Sequence, residues 1–349
     1  MKAGIFTFHY AYNYGAVLQC MALYRTLQRM GVDVDVINYV PPQFAEYEHS
    51  LLRGWGVKKG LLLKNTPKKI IQARYGKAMR RVFDQFRAEQ IGFSSFCQTP
   101  DEIAEVVKAY DLLITGSDQV WHFAQKPPFF LEWGVPFAGK KISYAPCCGS
   151  LDQPEDRKAL AGRWISDFDF ISVRNTFSRE LVKEVSGRDA EIVADPTLLV
   201  DLSDLARRPV ELKHEKYILM YMLGDEIQGG HQKVLNSIKE RFGKLPVVAV
   251  VSSAHRPRRF PWADQVLYTA GPAEWLYLVS HAEFVYTDSF HGALFSIKAE
   301  VPFCVYYREA ARAPRLLDLA ERYQLNEFVA ADASQAIDGI QNNPYNFSG

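Results

Sequence analysis

Polar and ionisable side chains gather at several places directly behind short apolar runs, where a strand of a parallel sheet would present its ligand-facing end. The densest is Tyr286 to Ile297, YTDSFHGALFSI, with Asp288, Ser289 and His291 between a strand-like run and a helix-like one. Ser289 suits the helix N-cap, which puts His291 in the first turn. An imidazole there can carry a proton to or from a ligand. A lone histidine is more often structural than catalytic, and it is the position at the carboxyl end of a strand that makes His291 the catalytic candidate.

Arg174 closes another run, ISVRN. Its planar fork of donors suits a carboxylate or phosphate, and a salt bridge within the protein satisfies it equally well. HYAYNYGA brings Asn13, Tyr14 and Gly15 to a helix start, where free N–H groups and the helix dipole suit an anion or a sugar hydroxyl. Asn before Gly is also ordinary helix-start chemistry. ITGSDQVW offers Gly116, Ser117, Asp118 and Gln119 with Trp121 close behind. Polar groups beside an aromatic face suit a carbohydrate ring, while N-capping with Trp121 in the core explains the same residues. VVSSAHRPRRF clusters His255, Arg256, Arg258 and Arg259, readable as a phosphate clamp or as a cationic surface loop.

The elements that must position these residues follow from the periodicity. KAGIFTF, a helical run from Gly15 to Gly31 and VDVINY open the chain as a βαβ unit. DLLIT, KISYA, DFISVR and EIVA continue the strands, with helices around Pro154 to Trp164 and Phe177 to Val185. The pattern restarts with KYILMYML, VVAVVSS, EFVYT and PFCVY, separated by helices near 229–242, 272–280 and 292–299. The expected fold class is therefore α/β, with two doubly wound Rossmann-like domains facing across a cleft, the GT-B-like arrangement. The expected domains are residues 1–200, on the acceptor side, and 210–340, on the donor side.

A basic helical insertion over about 51–90 interrupts the first domain. From Leu51 to Arg87 there are eleven Lys or Arg and a single acid, Asp84, with Tyr75, Met79, Val82 and Phe86 at helical spacing. Such a stretch can lie on anionic lipid headgroups, although packing its apolar face on the first lobe is the commoner use of a surface helix.

Composition bounds the function. The chain has 349 residues, 48% hydrophobic, with formal net charge +1, which gives no electrostatic case for binding nucleic acid. No apolar run is long enough to span a membrane, and MKAGIFTFHY reads as a strand rather than a signal peptide, so a cytoplasmic location is expected. Cys20, Cys97, Cys147, Cys148 and Cys304 show neither metal nor disulfide spacing and are expected to pack as small apolar residues.

Taken together, NYGAVLQ, TGSDQVW, SYA, SVR, DPTLL, TDSFHG and VPF resemble the polysaccharide pyruvyl transferase family, in order from about Asn13 to Phe303. The resemblance implies transfer of a pyruvyl group from phosphoenolpyruvate to a sugar, closing a cyclic ketal on two hydroxyls. It implies a cell-surface polysaccharide precursor as acceptor, often an oligosaccharide on a polyprenyl lipid, which would give residues 51–87 a peripheral contact at the inner membrane face. By resemblance Arg174 matches the arginine that grips the donor, and His291 the histidine of donor contact or proton transfer. Asn13 and Gly15 match the turn facing the cleft.

Two departures stand out. Other family members carry Arg-Leu-His where this chain has Ser289-Phe290-His291, so Arg256, Arg258 or Arg315 replaces the absent arginine, or the donor differs. SVR is followed by Asn175 where an acid is common, and SYA by Pro146-Cys147-Cys148. No metal-ligand constellation is visible, so no tightly bound cofactor is expected; weakly held magnesium at the donor phosphate is compatible with the residues. Two alternatives stay open: a GT-B glycosyltransferase using a nucleotide sugar, and a non-catalytic binding member of a polysaccharide assembly complex. The oligomeric state is not legible.

Overall fold

The structure is a computed structural model that describes residues 1–42, 66–150, 153–251, 260–308 and 313–345, with the backbone alone for 66–74. In the first lobe, β1 (Lys2–Phe6), β2 (Asp33–Val36), β3 (Leu112–Thr115) and β4 (Lys140–Ser143) form a sheet of order β2-β1-β3-β4. All its pairings are parallel. A short parallel pair, β5 (Ser172–Val173) and β6 (Glu191–Ile192), extends the lobe beyond β4 through a bridge between Ile142 and Phe170. The helices are α1 (Tyr14–Arg29), α2 (Thr66–Gln90), α3 (Pro100–Val107), α4 (Glu155–Ser166) and α5 (Thr176–Ser186).

The second lobe contains β7 (Ile218–Tyr221), β8 (Val247–Val250), β9 (Gln265–Leu267), β10 (Phe284–Thr287), β11 (Phe303–Tyr306) and β12 (Val329–Ala330). Their order is β12-β11-β10-β7-β8-β9, again parallel throughout. Helices α6 (His231–Phe242), α7 (Pro272–Ser280), α8 (Phe290–Lys298), α9 (Ala313–Arg322) and α10 (Ala333–Asn342) flank it. β7, β8, β10 and β11 are buried at every position, which is why they read as unbroken apolar runs rather than as alternation. In each sheet the strand order reverses once, between β1 and β3 and between β7 and β10. Ligands bind at such points in parallel sheets.

The lobes share a core. Tyr14, Leu18 and Phe83 belong to one buried cluster with Trp275 and Phe295. The Tyr14 ring stacks on Trp275 at 5.4 Å, and its hydroxyl donates to the carbonyls of Val251 at 3.1 Å and Ala270 at 2.8 Å. Lys298 Nζ reaches back to the Thr197 carbonyl at 2.8 Å. An apolar, hydrogen-bonded seam of this kind opposes the free hinge motion usual between domains.

The basic insertion falls partly outside the described residues, which omit 43–65. From Tyr75 onward α2 packs on both lobes rather than on the first alone: Met79, Phe83 and Phe86 are buried, and Tyr75 stacks on Tyr268 at 4.7 Å. Each such buried side chain contributes about 1.5–3 kcal/mol, enough to seat a strongly charged helix. Arg87 is not solvated; it is buried and donates to the His9 carbonyl at 3.0 Å. Among the described residues no helix is long and apolar enough to cross a membrane. All five cysteines are free and buried.

Candidate active site

The two points of strand-order reversal face each other across a cleft of about 860 Å³. The first lobe supplies Asn13 at the start of α1 and Asp118, Gln119, His122 and Gln125 behind β3. The second supplies Asp225 behind β7, Asp288 to His291 behind β10, Tyr306 to Arg308 at the end of β11, and Arg315 in α9.

Behind β10 the sequence order dictates the geometry. Thr287 Oγ donates to the Tyr221 carbonyl at 2.5 Å and accepts from the Ser289 N–H at 3.0 Å, tying the strand end to β7. Ser289 caps α8, accepting from the Gly292 N–H at 3.2 Å. Asp288 turns towards β7, where it accepts from the N–H groups of Leu223 at 2.6 Å and Gly224. His291 is thereby fixed in the first turn of α8 with its ring against Gly15 of the opposite lobe. A Cβ at Gly15 would overlap that ring, so the first helix can approach only as glycine.

Beneath His291 lies a buried cluster of charges. Asp195, 3% exposed, accepts at Oδ1 from the Thr197 N–H at 3.0 Å and the Thr197 hydroxyl at 2.8 Å. Its Oδ2 meets Arg174 at 2.8 Å, the Ser117 hydroxyl at 3.4 Å and His291 Nε2 at 3.7 Å. The last distance is beyond a hydrogen bond, so that contact is one of charge. Arg174 also faces Asp118 at 3.6 Å and lies 4.4 Å from the Phe290 ring centre, which covers it from the second lobe. Burial opposes ionisation of Asp195, but His291 and Arg174 outweigh it and hold the carboxyl well below the usual carboxylate range. Burial likewise opposes the Arg174 charge, and Cys147, Asp195 and Asp118 beside it outweigh burial and raise its pKa.

The sequence profile of polysaccharide pyruvyl transferases matches residues 13–309, most of the chain. The chain belongs to the polysaccharide pyruvyl transferase family. It is thus a transferase, and a sugar is its acceptor class. No curated protein sequence matches it. A putative UDP-N-acetylglucosamine 2-epimerase from Listeria monocytogenes is similar in structure, with TM-score 0.53 and 12% identity over 99% of this chain and 88% of that one. A Methanocaldococcus jannaschii UDP-GlcNAc 2-epimerase in complex with UDP-GlcNAc and UDP gives 0.51 and 12% over 99% and 94%. Arabidopsis thaliana UGT89C1 complexed with UDP-L-rhamnose gives 0.50 and 13% over 99% and 90%. These likenesses show a GT-B fold.

In this pyruvyl transferase the residues singled out from the sequence have separate fates. Asn13 lines the cleft while capping α1, accepting from the Ala16 N–H at 3.1 Å. Tyr14 points away from the cleft into the seam between lobes. Gly116 has φ +119° and lets the turn pass against the Tyr144 carbonyl. The Ser117 hydroxyl is used inside the fold, donating to the Ala145 carbonyl at 2.8 Å, and its N–H donates to Gln19 Oε1 at 3.1 Å. Asp118 and Gln119 line the cleft, but Trp121 is fully buried and stacked on Phe130, so it offers no aromatic face to a sugar. Ser289, Phe290, His291 and Arg315 all line the cleft. Arg174 does not; it lies under the floor. Arg256 and Arg258 lie outside the described residues, as do His255 and Arg259.

Asp195, Arg308, His122 and Asp225 were not anticipated as site residues. Asp195 stands in DPTLL, near the end of the first domain; the Asp-x-Thr spacing that lets Thr197 hold the carboxylate was the available signal. Arg308 and Asp225 carry no motif.

Proposed function

We propose that this chain transfers a pyruvyl group from phosphoenolpyruvate to two hydroxyls of a sugar in a cell-surface polysaccharide precursor, forming a cyclic ketal in the interlobe cleft. The observation that carries the reading is the placing of one buried histidine, His291, at the floor of a cleft whose second-lobe wall bears Arg308 and Arg315. The donor brings a carboxylate and a phosphate, and two guanidinium groups beside a proton carrier are the matching set. Arg315 and Arg308 thus take the gripping role that the absent arginine before Phe290 leaves open, while Arg174 acts from below.

The chemistry then follows in steps. A proton from His291 adds to the donor methylene, and the electron pair of the C=C bond forms the new C–H bond. The adjacent carbon becomes oxocarbenium-like, and a sugar hydroxyl adds to it and loses its proton to a base. Phosphate leaves with its bonding pair, and the second hydroxyl adds to the oxocarbenium carbon so formed, closing the ring as its own proton passes to the departing phosphate. The side chains alone supply these steps, and any magnesium would travel with the donor phosphate. A polyprenyl-linked acceptor at a membrane face belongs to the proposal through the basic composition of residues 51–87 alone.

A thermal-shift titration with phosphoenolpyruvate, and with UDP as the control for a nucleotide-sugar enzyme, tests the donor. A ligand that binds the folded state raises the melting temperature with concentration. We expect a saturable rise with phosphoenolpyruvate that needs about tenfold more ligand in Arg315→Ala, the loss of one charge-assisted contact. His291→Ala should keep the rise and lose turnover. A rise with UDP and none with phosphoenolpyruvate would overturn the reading.

A further inference from the structure

We infer that Asp195 is the positioning residue of His291: the buried carboxylate fixes the imidazole with its Nε2 proton turned inward, so that Nδ1 is the nitrogen that meets the substrate. The inference rests on the pyruvyl-transfer reading for the identity of the substrate, but not for the geometry. His291 Nε2 is buried, has no hydrogen-bond partner, and points at Asp195 Oδ2 3.7 Å away. The ring lines the cleft, and its Nδ1 edge lies beside Gly15 at the start of α1. A carboxylate behind one ring nitrogen sets the tautomer and leaves the other nitrogen for chemistry.

Asp195 is itself held from three sides. Thr197 supplies two donors to Oδ1, and Arg174 and Ser117 approach Oδ2. Two buried Arg174 nitrogens, Nε and one terminal nitrogen, have no hydrogen-bond partner, so the guanidinium serves as charge rather than as a fully bonded fork. The charge count is informative. Arg174 and a protonated His291 balance Asp118 and Asp195. When His291 gives up its Nδ1 proton to the donor carbon, the ring becomes the neutral Nε2–H form and the cluster is left with one negative charge. That charge then lies beneath the carbon that has just become cationic, where it stabilises the product of proton transfer. The neutral ring can next accept at Nδ1 the proton released by the attacking hydroxyl.

The test reads the ring directly. The chain has eight histidines, and in ¹⁵N-histidine NMR of the wild type the His291 signals are those missing from His291→Gln. We expect neutral His291 to carry its proton on Nε2. A proton on Nδ1 would overturn the inference, whether or not any Asp195 variant folds. Asp195→Asn should shift the ring towards the other tautomer and lower turnover by about 10²–10⁴-fold. Its phosphoenolpyruvate-induced melting shift should need no more than about threefold higher ligand, because the carboxylate does not touch the donor. Turnover within about threefold of wild type in a folded Asp195→Asn would equally overturn the positioning role. A wild-type ring with the Nε2 proton in a protein that ignores phosphoenolpyruvate would support the positioning inference and sink the donor reading instead.

Discussion

Two histidines lie buried behind strands on the two sides of the cleft, and they are built for opposite ends. His9 follows β1 and is 3% exposed; His291 follows β10 and is 7% exposed. His9 Nε2 meets the Tyr39 carbonyl at 3.2 Å, with Phe93 and Tyr10 packed on the ring. The nearby charge is the cation Arg87, so burial first and Arg87 second pull the His9 pKa down to about 3. His291 instead faces a carboxylate held ionised by an arginine. Burial and strand position are shared by the two rings, and the sign of the charge behind each ring differs. Burial, with an arginine behind the ring, keeps His9 neutral and structural, whereas a carboxylate, Asp195, stands behind His291.

The harshest way to break this contrast is to remove the cation under His291. Arg174→Ala leaves Asp195 and Asp118 as buried charges without their partner, which costs about 3–5 kcal/mol when a buried pair is split. Chemical denaturation at neutral pH checks it, and adding Asp195→Ala should restore part of the loss. A cost below about 1 kcal/mol would mean that the guanidinium is not compensating the cluster.

A smaller change attacks the seat of the ring. Gly15→Ala drives a Cβ into His291, and overpacking of this kind costs about 1–3 kcal/mol. The double variant with His291→Ala should recover most of that cost in a double-mutant cycle, since the clash partner is gone. If the two changes were additive, the close approach of α1 to His291 would not be what requires glycine.

Much of this architecture was legible in the sequence, because parallel strands buried on both faces must read as apolar runs ending in polar turns. The edge strands β9 and β12 left no such trace, being three and two residues long. The site was legible as positions but not as directions. Asn13, Tyr14 and Gly15 are consecutive, yet one caps a helix, one enters the lobe seam and one lies against His291, because Asn13 is the extended N-cap and the helical residues after it point about 100° apart. Which direction meets the second lobe is settled only when that lobe is placed. Arg174 was open between ligand and salt bridge for the same reason: its closest acid, Asp195, comes from another segment 21 residues away.

The finest test returns to His9, where the sign of the pH effect is fixed. The unfolded chain protonates this ring near the ordinary value of about 6.5, while the folded one resists down to about 3. Between those values the unfolded state binds the extra proton, so stability is full above the unfolded value and falls as pH drops towards the folded one. From about pH 7 to about pH 5.5 the loss due to His9 should be about 1 kcal/mol. His9→Gln keeps a donor for the Tyr39 carbonyl and cannot titrate, so its stability should fall less over that range by about this amount. Asp195 works in a separate window, because its depressed carboxyl is protonated only below the usual carboxylate range. The difference between wild type and His9→Gln over mildly acidic pH therefore isolates the first histidine. Parallel curves for the two proteins would show that His9 takes up its proton without opening the fold, and the contrast between the two rings would fail on its structural side.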